Sequence, residues 1–96
     1  MTKTKAANTQ RTQIKDENGA VLLHSDTGRF GSTSSETIVS RAYAREETIG
    51  SVTFKNIRFE AGNFDSAKFV ASSFAKVDFE GTWVPDVIFE DCMFSN

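Results

Sequence analysis

Phenylalanine recurs at every fifth position through the second half of the chain. Eight of the nine phenylalanines lie on one series with a step of five, and Val84 occupies the position that interrupts it. A period of five fits neither the 3.6 residues of a helical turn nor the alternation of a strand. It indicates a repeat in which each unit turns a corner and directs one large side chain inward. The members are Phe54, Phe59, Phe64, Phe69, Phe74, Phe79, Phe89 and Phe94.

The position two residues before each member of the series is small or β-branched. The residues directly before and after the phenylalanine are mostly polar or charged. Each unit therefore has two inward and three outward positions, and nine such units fill residues 52–96. The small inward positions are Val52, Ile57, Gly62, Ala67, Ser72, Val77, Thr82, Val87 and Cys92.

The chain before the repeat begins with a polar stretch and a predicted hairpin. Residues 1–11 contain no apolar segment, so they predict a flexible tail rather than a signal peptide. Asn18-Gly19 lies between Ile14 and the apolar run that starts at Val21. This pair is typical of a tight turn with positive φ at both central residues, which predicts a β-hairpin over residues 12–25.

A short helix is predicted next, after a loop over residues 26–32. Thr33 can cap a helix, with Glu36 as the capping-box partner three residues later. Apolar-face positions then follow at helical spacing, and Gly50 is a plausible stop. We expect residues 12–50 to cap the exposed first unit of the repeat, because the ends of a solenoid need covering. The helical positions are Ile38, Ala42, Arg45 and Ile49.

The repeat resembles the pentapeptide-repeat family. The segments AKFVA, SSFAK, VDFEG and CMFSN match its unit, which has a small residue, Asp or Asn, Leu or Phe, and two more small or polar residues. The resemblance covers residues 52–96 and implies a right-handed, four-sided (quadrilateral) β-helix with four units per coil, here about two and a quarter coils. QIKDENGAVLL followed by SETIVSRAYA has the order of hairpin and short helix with which some members, several of them phage-encoded, begin. The expected fold is therefore mainly β, a single domain with a hairpin and α-helix cap.

Charge is unevenly distributed along the chain. The formal net charge is −2, but five acids and no Lys or Arg occur from Asp78 onward. Nucleic-acid binders usually have the opposite sign, so we expect no direct binding to nucleic acid. A single cysteine excludes an intramolecular disulfide and favours a reducing compartment. With no apolar run of membrane-spanning length, we expect no membrane association and a cytoplasmic location in a bacterial host cell.

Residues for catalysis are scarce. The chain has one histidine, His24, and one cysteine, Cys92. A nucleophilic site needs a nucleophile, a base and an orienting group, and a zinc site needs several ligands. We interpret His24 as a surface residue and Cys92 as a small core thiol. The sequence predicts no enzyme, no cofactor and no metal site.

The first candidate binding surface is acidic. Members of the resembled family act as duplex-DNA mimics, because a rigid column of carboxylates attracts the Lys and Arg that bind phosphate. The resemblance thus implies a non-enzymatic inhibitor of a DNA-binding complex. We favour an anti-CRISPR protein that prevents a surveillance complex from recognising target DNA and its PAM, since gyrase-binding members, the alternative, are much longer rods. Residues twenty apart would stack, as in Glu60 and Glu80, although the columns are incomplete. The acids are Glu60, Asp65, Asp78, Glu80, Asp86, Glu90 and Asp91; alternatively, they only solubilise the sheet.

The second candidate surface is apolar and lies around the irregular unit that contains Val84 and Pro85, where Val84 replaces the large central residue and leaves space inside. Trp83, Ile88 and Met93 fall at outward positions one unit apart. Exposed large apolar residues often mark an interface. We favour side chains that fold over the uncapped C-terminal coil or a homodimer through that coil; the alternative is a structural adaptor module that binds another protein.

Overall fold

The computed structural model describes residues 12–95. In this range the chain forms ten β-strands and no helix. They are β1 Thr12–Lys15, β2 Val21–Ser25, β3 Arg29–Gly31, β4 Thr37–Ser40, β5 Thr48–Gly50, β6 Thr53–Asn63, β7 Lys68–Val70, β8 Ser73–Trp83, β9 Ile88–Glu90 and β10 Met93–Ser95. The predicted flexible tail, residues 1–11, lies outside the described residues.

Strands β3 to β10 stack in parallel as a solenoid. One sheet has the order β10-β8-β6-β3, with β4 also paired to β6, and a second sheet has the order β9-β7-β5. Phe54 lies opposite Phe74, and Phe74 lies opposite Phe94, so each coil advances the chain by twenty residues. The fold is a mainly-β solenoid of about three turns.

The phenylalanines form its core, as the period of five predicts. Phe54, Phe59, Phe64 and Phe69 are fully buried. Rings of successive coils lie over one another, with centroids 5.3 Å apart for Phe59 and Phe79. Rings of neighbouring units within a coil meet edge to face, as Phe59 and Phe64 do at 5.2 Å. Both arrangements are the favourable ones for aromatic pairs.

The predicted helix over residues 33–50 is wrong. This stretch contains β4 and β5, which are the first members of the stack. Val39 lies opposite Phe59 and Ile49 lies opposite Phe69, while Ile38, placed on the apolar helix face by the prediction, points outward and is exposed. Val39, Ala44 and Ile49 continue the step of five backwards, with smaller side chains in place of phenylalanine.

The number of coils is larger than predicted, because the stretch predicted as a helix forms strands of the stack. The stack begins near Val39 rather than at Val52, so it has about three turns and not two and a quarter. Phe30 belongs to the same first coil, because it lies opposite Phe54 in β6 as Val39 lies opposite Phe59. The right-handed, four-sided cross-section remains a prediction.

Each unit turns its corner through a residue in the left-handed region. These residues recur every five positions, from Arg41 with φ of 67° to Asp91 with φ of 55°. The series is interrupted at Gly81, where the pairing of β6 with β8 also shifts, so that Glu60 lies opposite Gly81. Corner amides also join the coils, since the N–H of Ala71 donates to the Glu90 carbonyl at 2.9 Å.

The hairpin is confirmed. β1 and β2 pair antiparallel over the predicted residues. The Asp16 carboxylate accepts the N–H groups of Asn18 and Ala20 at 2.9 Å each, and Gly19 has φ of 87°. Positive φ occurs at Gly19 and not at Asn18, so the expected two-residue turn is wrong.

The hairpin also packs against the first coil. Ile14 is buried in the core, and the Lys15 carbonyl accepts the N–H of Tyr43 at 2.7 Å. Burial of Ile14 together with this bond joins the hairpin to the N-terminal end of the stack.

Candidate protein-binding surface

The C-terminal coil, residues 77–95, forms an end of the described stack. Its outer strands β9 and β10 each pair with one described strand, β7 and β8 respectively. Phe89 and Phe94, which the sequence predicts as core, are 40% and 58% exposed. Within residues 12–95, no further strand pairs with the outer edges of β9 and β10 to cover them. Inward-facing aromatic side chains therefore meet solvent at this end.

An apolar hollow of about 200 Å³ opens in the same end. It lies where Val84 interrupts the phenylalanine series, which is the place where the sequence predicts missing volume. Val84 itself is 40% exposed. The lining consists of Phe64, Phe69, Phe79, Val84, Val87 and Phe89.

The seven predicted acids do not form a single column. Arg58 lies opposite Asp78, Gly81 lies opposite Glu60, and Val70 lies opposite Glu90. The predicted stacking of Glu80 on Glu60 is wrong, because the register shift near Gly81 separates them. The acids are instead distributed around the solenoid.

Three of these acids are neutralised by bases. Glu60 contacts Arg58 at 3.3 Å, Asp65 contacts Arg45 at 3.5 Å, and Glu90 contacts Lys68 at 3.0 Å. Such exposed pairs contribute little to stability, but a paired carboxylate attracts a partner's cation less.

Arg58 lies at the centre of a group of charges. Its guanidinium donates to the Glu36 carboxylate at 2.7 Å. This hydrogen bond and the charge of Glu36 raise the pKa of Arg58, with smaller contributions from Glu60 and Asp78. Glu36, the predicted capping-box residue, thus anchors the segment before β4 to β6.

The remaining acids belong to the C-terminal coil. Glu80, Asp86 and Asp91 form no ion pair with any residue in the described range 12–95. The Asp78 carboxylate accepts the Glu80 N–H at 2.7 Å and lies within electrostatic range of Arg58. Four carboxylates thus remain available here, close to the apolar hollow.

The three predicted apolar residues are exposed but do not form one lateral patch. Trp83, Ile88 and Met93 are 64%, 56% and 72% exposed. They lie opposite Asn63, Lys68 and Ser73, and the left-handed corner residues Asp86 and Asp91 separate each from the next. What they share is the C-terminal coil, so they are distributed around its edge.

His24 and Cys92, the residues considered for catalysis or metal binding, lie far apart in the chain and have different environments. His24 is exposed, and its Nε2 lies 3.3 Å from an Asp26 carboxylate oxygen. The Cys92 thiol is partly buried and donates to the Phe69 carbonyl at 3.4 Å, as expected of an inward small position. No group of three metal-ligating side chains occurs within residues 12–95. The same residues include no helix of membrane-spanning length.

The sequence interpretation missed the bases that pair with the acids. Arg45 and Asp65 are twenty residues apart, and Lys68 and Glu90 are twenty-two apart. Both spacings follow from a coil of twenty residues, so the signal was present in the sequence. For Arg45 this spacing was not recognised, because the residue was placed in the predicted helix rather than in the repeat.

Comparison with protein families and with curated proteins does not assign this chain to a family. No protein-family model matches the sequence, and no curated protein matches it.

Proposed function

We propose that this protein is a non-enzymatic inhibitor that occupies the DNA-binding surface of another protein. The observation that carries the proposal is the set of available carboxylates in the C-terminal coil, Asp78, Glu80, Asp86 and Asp91. The Lys and Arg side chains that bind DNA phosphates are attracted equally to carboxylates held on a rigid support. Stacked strands with stacked aromatic rings provide such a support.

The pentapeptide-repeat resemblance narrows the proposal. A coil of twenty residues with a corner at every fifth residue is what four units per coil would produce, and members of that family mimic duplex DNA. Three turns at a strand spacing of about 4.8 Å make a stack only about 14 Å tall. This height suits a compact duplex-reading pocket, so we favour a CRISPR surveillance complex and its PAM-sensing site, acting in the bacterial cytoplasm. Gyrase is the alternative target.

Isosteric neutralisation tests the proposal. The variant Asp78→Asn, Glu80→Gln, Asp86→Asn, Asp91→Asn keeps side-chain shape, and asparagine tolerates the left-handed φ at positions 86 and 91. A matched control removes four charges outside the C-terminal coil, at Glu17, Asp26, Glu46 and Glu47.

The assay is competition for a labelled DNA duplex bound to a purified surveillance complex or to gyrase. The wild-type protein and the control should displace the duplex from one of them, less effectively as salt rises. The C-terminal variant should need at least about tenfold more protein, as expected when complementary charges are lost. Equal inhibition by that variant, or no displacement from either target by the wild type, would contradict the proposal.

Exposure of the apolar side chains supports a second candidate, a structural adaptor that binds protein through Trp83, Ile88 and Met93. It predicts that Trp83→Ala abolishes partner binding while the neutralised variant retains it. The DNA-mimic proposal predicts the reverse order of effects.

A further inference from the structure

We infer that the open end of the C-terminal coil is a docking site for a protein surface that presents one apolar side chain surrounded by Lys and Arg. The inference rests on the proposed function and names the chemistry of the partner that the same coil would bind. It combines three observations, namely the hollow, the arrangement of carboxylates around it and the unpaired strand edges.

The hollow determines which kind of side chain the partner would insert. It is lined by aromatic and aliphatic side chains, and it exists because Val84 stands where the repeat has phenylalanine. A single aromatic or leucine side chain from a partner would occupy the volume that the missing phenylalanine would fill. Interface anchors of this kind are typically large apolar residues in desolvated pockets.

The carboxylates define the rim. Asp78 and Glu80 lie on β8, Asp86 lies at the corner before β9, Glu90 ends β9, and Asp91 lies at the corner between β9 and β10. Following the chain around this end therefore passes acids on successive sides of the hollow. No Lys or Arg occurs in residues 77–95. An apolar centre with a polar rim is the usual anatomy of a protein interface. This rim is predominantly acidic, with Glu90 paired to Lys68 of the preceding coil.

The strand edges supply hydrogen-bonding groups. In the preceding coil, the corner amides of Ser66 and Ala71 donate to the carbonyls of Pro85 and Glu90 at 2.9 Å. The corresponding amides of Asp86 and Asp91 have no such acceptor within residues 12–95. A partner's backbone or side-chain oxygen can satisfy them, as a strand added to a sheet edge does.

Charge argues against a second copy as the occupant. A two-fold, end-to-end pair would bring the same patch of both protomers together. Asp78, Glu80, Asp86 and Asp91 of one C-terminal coil would then meet the same four acids of the other, while Glu90 is paired with Lys68 of the preceding coil. Like charges facing each other across an interface oppose association, so the rim selects a basic partner.

The test uses a defined probe on the full chain. The probe is the acetylated and amidated peptide KKFLKK, with KKSSKK lacking the anchor and EEFLEE carrying the opposite charge. Titration with KKFLKK should give amide chemical-shift changes at Val84, Val87 and Phe89 that reach saturation. Neither of the other two peptides should do so. Analytical ultracentrifugation of the protein alone should give the monomer mass of 10.6 kDa.

A variant in which the hollow is filled tests this inference independently of the proposed function. Val84→Phe restores the repeat and leaves every carboxylate in place, and Val21→Phe adds the same volume at an exposed hairpin position. We expect Val84→Phe to fold, as judged by an unchanged or higher urea midpoint, and to weaken KKFLKK binding about tenfold, which corresponds to ~1.4 kcal/mol. Val21→Phe should bind as the wild type does.

The other outcomes overturn the inference. Equal binding of KKSSKK, unchanged binding by Val84→Phe, or the absence of shifts at the hollow would show that the hollow is not the site. A dimer that Val84→Phe disrupts would make a second copy the occupant. None of these results affects displacement of DNA by the carboxylates, which the neutralised variant tests separately.

Discussion

Removal of one ring from the middle of the aromatic stack should destabilise the protein far more than removal of one at its end. Phe74 is 3% exposed, and its ring lies within 5.5 Å of the ring centroids of Phe54, Phe69, Phe89 and Phe94. Truncation there leaves a cavity between rigid neighbours. Phe74→Ala should therefore lower the free energy of unfolding by about 3–5 kcal/mol.

Phe94→Ala is the matched control, since the same atoms are removed. More than half of Phe94 is exposed, and full burial of such a side chain contributes about 1.5–3 kcal/mol, so the expected loss is about 1 kcal/mol. Urea unfolding followed by far-ultraviolet circular dichroism measures both values. A loss for Phe74→Ala of under about 1 kcal/mol, or equal losses for the two variants, would refute the stacked core.

Three further changes test local features of the stack by the same unfolding measurement. Gly31→Ala should cost about 1–3 kcal/mol, because Gly31 has φ of 96° and an added Cβ would overlap the Lys55 carbonyl; an unchanged midpoint would contradict the pairing of β3 with β6. Ala71→Gly should stabilise by about 1 kcal/mol by relieving its left-handed φ of 52°, whereas the buried Ala67→Gly, the control, should destabilise. Val84→Phe should stabilise by about 0.5–2 kcal/mol through filling the hollow, and a loss of stability would show that the hollow is already occupied.

Much of the solenoid follows from the sequence because its signal is a repeated large side chain. Phe54 to Phe94 mark inward positions without ambiguity, since no helix or strand has their spacing. The same register extends to Val39, Ala44 and Ile49, but these side chains are smaller and ordinary in helices. Over so short a stretch, Ile38, Ala42, Arg45 and Ile49 fit a helical period equally well, which explains the wrong helix.

The candidate site was predictable only in part. The acids, the exposed Trp83 and the missing volume at Val84 follow from the repeat. The register shift at Gly81 does not follow from the repeat, because a glycine among polar residues does not indicate where the pairing of two strands will become irregular. That shift displaces Glu80 from its expected place opposite Glu60, because Gly81 lies there instead.

In the free protein the C-terminal coil should be open to a partner, and the fluorescence of Trp83 tests this. Trp83 is the only tryptophan in the chain, and its side chain is 64% exposed. We predict an emission maximum close to that of free tryptophan in water, quenching by acrylamide nearly as efficient as for free tryptophan, and no dependence of either on protein concentration. A blue-shifted emission protected from acrylamide would show that this coil is already covered, by another part of the chain or by a second copy.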